Sequence, residues 1–122
     1  MADFPFTETI EIRYFTDMWG VYLFEFEDAI PSGDPITAIT VDAYIGSVKS
    51  SSTLSEFTDV STDVVDPGYA PQIQSNTQIL VRLQYPGATY KDEKVTLVFE
   101  LTLNSGAKHP FFFPYVKIRG EA

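Results

Sequence analysis

Apolar and polar residues alternate one for one along most of this chain. Ile10, Ile12 and Tyr14 alternate with Glu11 and Arg13 within Thr9–Phe15. Phe24 and Phe26 alternate with Glu25 and Glu27 in the run that begins at Val21. Ile39, Val41, Ala43 and Ile45 are spaced by Thr40, Asp42 and Tyr44, and Ile79, Val81, Leu83 and Tyr85 by Leu80, Arg82 and Gln84. Val95, Leu97, Phe99, Leu101 and Leu103 form the longest such set. A period of two places alternate side chains on opposite faces of a strand, so each segment predicts a strand with one face buried. No segment carries a 3.6-residue apolar stripe of the kind that predicts a helix.

The breaks between these runs are turn chemistry. Ile30-Pro31-Ser32-Gly33-Asp34-Pro35, Asp66-Pro67-Gly68 and Tyr85-Pro86-Gly87 combine fixed and permissive backbone angles. Residues 46–60 are Ser-rich and nearly aperiodic, which predicts a loop with one short strand near Phe57–Val60. Strand 95–103 and strand 111–118, joined through Asn104–Pro110, predict an antiparallel hairpin. Proline has no ladder donor, so Pro114 belongs on an edge strand or at a bulge. Phe111, Phe113 and Tyr115 share one parity, and Phe112, Val116 and Ile118 the other. One set is expected to face the core and the other to form a contact surface. The architecture this implies is an all-β, immunoglobulin-like antiparallel β-sandwich of about seven to eight strands. Residues 1–122 suit a single domain. The expected core includes Ile39, Val41, Leu83, Leu97, Phe99 and Leu101.

Composition narrows the function classes. Apolar residues make up 44% and aromatics 15%, which is too hydrophobic for a disordered chain. There is no cysteine, which excludes a disulfide framework, a thiolate metal site and a cysteine nucleophile. The N-terminal MADFPFTETIEIRYF lacks the basic-then-apolar pattern of a signal peptide, and no apolar run approaches the roughly 20 residues that span a bilayer. A cytoplasmic or virion location without a membrane is the expectation. The net charge of −9 argues against free nucleic acid as a partner. The charge is uneven: residues 1–66 hold thirteen acids against two bases, and residues 67–122 hold four acids against six bases. Lys91, Lys94, Lys108, Lys117 and Arg119 gather late. The expected partner contact is therefore Phe111, Phe113, Tyr115, Lys117 and Arg119, an aromatic patch rimmed by cations that suits a protein partner, either another copy or a second virion protein.

Candidate chemistry is sparse. His109, the one histidine, sits in the hairpin loop with no Ser or Cys motif to serve as base, and reads as a solvated loop residue. Asp59, Asp63 and Asp66 offer oxygen ligands but match no calcium-loop pattern, and read as loop acids. Asp92-Glu93 reads as a hairpin-tip pair, and no glycine-rich phosphate cradle occurs. Trp19 reads as a lid on the core, with stacking on a sugar or protein as its other use. No catalytic residue, metal or cofactor is predicted, and the chain is not expected to be an enzyme. A carbohydrate-binding or adhesive sandwich is the alternative, with Trp19, Tyr44, Tyr69 and Tyr115 as stacking platforms.

The stretch AIPSGDPITAITVDAY resembles an acidic-turn-plus-strand signature of prophage-encoded proteins, through Ile30, Gly33, Asp34, Ile36 and Val41. VTLVFELTLNSGAKHPFFFPYVKI resembles the closing hairpin of the same proteins. Where those carry Gly-Gly-x-x-Gly-x-x-Tyr, this chain has Tyr85-Pro86-Gly87-Ala88-Thr89-Tyr90. The resemblance implies an Ig-like protein of a bacteriophage or prophage morphogenesis region, with a virion or virion-assembly role and no catalytic residues. Gly33 and Asp34 carry over as turn formers only, Gly for backbone freedom and Asp to bond neighbouring amides.

Overall fold

The computed structural model describes residues 10–13, 19–48, 54–86, 90 and 92–119. Among these residues, seven strands form two sheets. They are β1 (Ile10–Arg13), β2 (Trp19–Glu25), β3 (Ile36–Ile45), β4 (Gln72–Ser75), β5 (Gln78–Gln84), β6 (Lys94–Leu103) and β7 (Lys108–Arg119). One sheet has the order β1-β7-β6-β3 and the other β2-β5-β4. All pairings are antiparallel except β1 with β7. The result is the expected all-β sandwich. Of the first predicted strand, Thr9, Tyr14 and Phe15 lie outside the described residues.

The alternation seen in the sequence is the inside–outside pattern of the sheets. Val95, Leu97, Phe99, Leu101 and Leu103 are all buried, as are Ile79, Val81 and Leu83 from the facing sheet. Ile39 is the exception among the expected core residues, packing only partly buried at the core's margin. Phenylalanines join the two sheets. Phe24 lies 4.9 Å from Phe99 and 5.6 Å from Phe113, and Phe26 lies 5.6 Å from Phe99 and 5.2 Å from Phe111, between ring centroids. The tilted and edge-on arrangements are those that aromatic quadrupoles favour.

The closing hairpin is present, and its prolines have a structural role. Val95 pairs with Val116, and Leu97 with Phe113, so Pro114 and Tyr115 together oppose the single residue Thr96. This is a β-bulge, and it resets the alternation. Phe111 and Phe113 point inward before it; Val116 and Ile118 point inward after it. Neither parity set therefore faces the core along the whole strand, contrary to the sequence expectation. Pro114 occupies the bulge, where a ladder donor is dispensable. It is not on an outer strand, because β7 lies between β6 and β1. At the hairpin tip, Gly106 adopts φ +91°, and the amide of Leu103 donates to the carbonyl of Ala107 at 2.9 Å.

Two loops are fastened to this hairpin. Asp34, in the β2–β3 loop, accepts from the amide of Ser105 at 2.9 Å and from its hydroxyl at 2.6 Å, while Asn104 donates its amide to the carbonyl of Pro35 at 2.8 Å. Gly33 beside it has φ +80°, the left-handed angle expected of a turn glycine. The amides that Asp34 caps are thus not its neighbours in sequence but lie 71 residues away. At the other end, Thr96 is fully buried beneath residues 46–48. Its hydroxyl donates to the carbonyl of Gly46 at 2.6 Å and accepts from the amide of Val48 at 2.9 Å.

The Ser-rich stretch folds more than predicted. A 3-10 turn at Leu54–Glu56 leads to an isolated bridge between Asp59 and Tyr44, then to a one-turn helix, α1 (Ser61–Val64). Four residues are too few to show a 3.6-residue stripe. Val60 donates to the carbonyl of Ala43 and Ile45 to that of Thr58, so this segment covers the outer edge of β3. Strand β4, Gln72–Ser75, was also not predicted; all four of its residues are exposed, so it has no buried face to impose a pattern. No helix among the described residues is long and apolar enough to cross a membrane.

Candidate interaction surface

The two phenylalanines of the patch expected on the last strand face the core. Phe111 and Phe113 are at most 1% exposed, locked against Phe24 and Phe26 by closure of the sandwich. They are core residues, and the expectation that they contact a partner is corrected. Lys117 occupies an outward position directly opposite Lys94 and is half-buried. The side chains of Tyr115 and Arg119 lie outside the described residues.

The tyrosines proposed as stacking platforms are dispersed. Tyr44 pairs with Thr96 on the outer face of the four-stranded sheet. Burial, with lesser contributions from the charges of Asp42 and Asp59, holds its hydroxyl above the usual phenol range. Tyr69 belongs to the other sheet's side, where the Arg82 guanidinium lies 5.4 Å from its ring centre. The side chain of Trp19 lies outside the described residues.

The loop acids serve local structure. Asp59 accepts from the amide and the hydroxyl of Ser61 at 2.8 and 2.6 Å. Asp66 accepts from the amide of Gly68 at 2.8 Å and its other oxygen lies 3.0 Å from Arg82 Nε, close enough for an ion pair. No cluster of three or more potential ligands that could hold a metal occurs among the described residues. His109 is half-buried, with its ring stacked near Phe111 at 6.5 Å. An open groove of about 600 Å³ lies beside the Asp34 clasp, with Glu27, Asp28 and Asn76 on its walls.

The surface with the composition of a contact site is the outer face of β2-β5-β4. Cross-strand pairs share a face. Its rungs are Val21 with Arg82, then Leu23 with Leu80 and Gln72, then Glu25 with Gln78. Val21 is 45% exposed and Leu23 52%, the two most exposed large apolar side chains among the described residues. The polar groups around them are engaged with each other. Gln78 donates to Glu25 at 2.9 Å and Ser75 donates to Gln78 at 3.1 Å. Hydrogen bonds from Thr77 and Gln78, outweighing slight desolvation, hold the Glu25 carboxyl below the usual range, so it stays anionic. Arg82 is paired with Asp66 and covered by Tyr69. An apolar centre with a rim already hydrogen-bonded loses little when water is excluded.

The sequence held the signal for this face. Val21-Tyr22-Leu23-Phe24 is apolar at both parities, as is Ile79-Leu80-Val81, whereas one-sided strands have only one apolar set. The inward-facing phenylalanines alone already account for a strand in that segment. Comparison of the chain with protein-family models, with curated proteins and with solved structures finds no match.

Proposed function

We propose that this protein is a non-catalytic structural or protein-interaction module, with an immunoglobulin-like arrangement, of a phage or prophage virion or its assembly. The observation that carries the interaction reading is the exposed Val21 and Leu23 beside half-buried Leu80 on β2-β5-β4. The strand orders support the immunoglobulin-like part: lettering the strands A to G in chain order, the sheets contain B-E-D and C-F-G neighbours. The first strand departs from the constant-domain pattern by joining the last one in parallel. The phage part rests on the resemblance of Ile30, Gly33, Asp34, Ile36 and Val41, which form the β2–β3 turn and the strand after it.

The test is particle association. Tagged wild-type chain and Leu23→Glu are expressed while phage are produced, and particles and assembly intermediates are separated by sedimentation. Wild type is expected in the particle or intermediate fractions and Leu23→Glu in the free fraction. Wild-type chain absent from every particle fraction, or equal incorporation of both, would overturn the reading.

A further inference from the structure

We propose that the outer face of β2-β5-β4 docks against the same face of a second copy, with the two sheets back to back and their strands reversed. The inference rests on the interaction reading above and names the partner. Three observations carry it.

The first is the order of groups along the face. Going up the strands, the rungs carry a cation (Arg82), then the leucine pair (Leu23 and Leu80), then an anion (Glu25). Each rung is two residues from the next, about 7 Å. A two-fold axis lying along the leucine rung, between two facing sheets, reverses strand direction. It sets Leu23 on Leu23 and Leu80 on Leu80. It also sets Arg82 over Gln78 and Val21 over Glu25 of the other copy, twice, leaving each Arg82 one strand across from the other copy's Glu25. A face that is complementary to its own rotated image is what a two-fold contact requires.

The second is charge. Two bodies of net charge −9 repel wherever their acids meet. The outward positions of β2, β5 and β4 carry one acid, Glu25, and one base, Arg82, among the described residues; the rest are apolar or uncharged. The outer face of the other sheet carries more charges, Asp42, Lys94, Glu100, Lys108 and Lys117 among them. The β2-β5-β4 face has fewer charges to desolvate, and the rotated pairing brings its two opposite charges near each other. A guanidinium has five donors and serves more than one carboxylate, so Asp66 and Glu25 of the second copy can share Arg82.

The third is composition. Tyr69 stacked on Arg82 is a residue pair enriched at protein contacts. The patch is small, so the expected complex is a weak, concentration-dependent dimer.

Sedimentation velocity of the full chain over a range of concentrations, at low and high salt, tests this. Wild type is expected to shift from monomer toward dimer as concentration rises, and salt to weaken the shift. Leu23→Glu places two carboxylates at the centre of the contact and is expected to weaken association by roughly tenfold or more. Glu25→Gln is expected to leave a weaker dimer that salt no longer weakens. Leu23 is exposed and Glu25 half-buried, and unchanged thermal melts establish that the variants fold. A wild-type chain that stays monomeric at high concentration and low salt, or a Leu23→Glu chain that dimerises like wild type, overturns the second-copy inference. Particle association lost in Leu23→Glu while the free chain is strictly monomeric would separate the two claims, keeping the face as a contact site and rejecting the second copy.

Discussion

Replacing Phe99 by Ala removes the ring on which the aromatic core converges. Phe99 is fully buried on β6, between Phe24 at 4.9 Å and Phe26 at 5.6 Å. Phenylalanine-to-alanine changes in cores cost about 3–5 kcal/mol, through lost transfer free energy and an unfilled cavity. Each favourable ring pair adds about 0.5–1.5 kcal/mol beyond area burial, and Phe99 has two such neighbours, so the upper part of that range is expected. The site is poorly able to collapse: Phe24 is also held by Phe113, and Phe26 by Phe111, both on the adjacent strand. Against a total stability of about 5–15 kcal/mol, the loss is a large fraction. Urea unfolding of wild type and Phe99→Ala, followed by tryptophan fluorescence and far-ultraviolet circular dichroism, gives the difference by linear extrapolation. The midpoint is expected to fall steeply with little change in slope. A loss below about 1 kcal/mol, the size of a surface change, would refute the packing argument.

Three further outcomes follow from other parts of the fold. Thr96→Val strips the buried hydroxyl that joins the Gly46 carbonyl to the Val48 amide, and leaving both unpaired is expected to cost about 2–4 kcal/mol in urea unfolding, with Thr96→Ser close to wild type. Hydrogen bonds from Ser105, first its hydroxyl and then its amide, hold Asp34 below the ordinary carboxylate range, so the clasp stabilises the fold above the unfolded-state pKa and is lost as pH falls through the lower folded value; Asp34→Ala is expected to flatten that acid limb of the stability–pH curve, and an identical limb in the variant would contradict it. Deleting residues 111–122 removes Phe111, Phe113, Val116 and Ile118 from the core and the partner of both β1 and β6, so the fragment is expected to aggregate or stay unfolded, and a cooperative melt of a soluble 1–110 chain would contradict that.

The sandwich was legible wherever a strand has one buried face. β3, β5, β6 and the inward half of β2 follow from alternation alone, because solvent on one side and core on the other impose a period of two. Legibility failed where that constraint is absent. Exposed β4 has no buried face, and α1 is a single turn held by Val60, Ser61 and the edge of β3 rather than by periodicity. The last strand failed for a different reason. Parity assumes an uninterrupted ladder, and the bulge at Pro114 and Tyr115 moves Val116 and Ile118 onto the face that Phe111 and Phe113 occupy. Pro114 marked the irregularity, but its consequence for the residues beyond depends on pairing with Val95 and Leu97, which are distant in sequence. The exposed apolar residues were misplaced with it. An aromatic run beside late lysines suggested a patch on β7, whereas a core that must join two sheets draws those rings inward. The outward apolar residues are instead in β2 and β5, within segments whose inward residues already accounted for a strand.

Hydroxyl-radical footprinting with mass spectrometry distinguishes these two placements in one experiment. Side chains are labelled in dilute solution, and again at high concentration or in association with particles. Leu23 is expected to react when dilute and to be protected when associated, while Phe111 and Phe113 stay unreactive in both states because they are at most 1% exposed. Reaction of Phe111 or Phe113 in the folded dilute chain, or equal reaction of Leu23 in both states, would contradict the account.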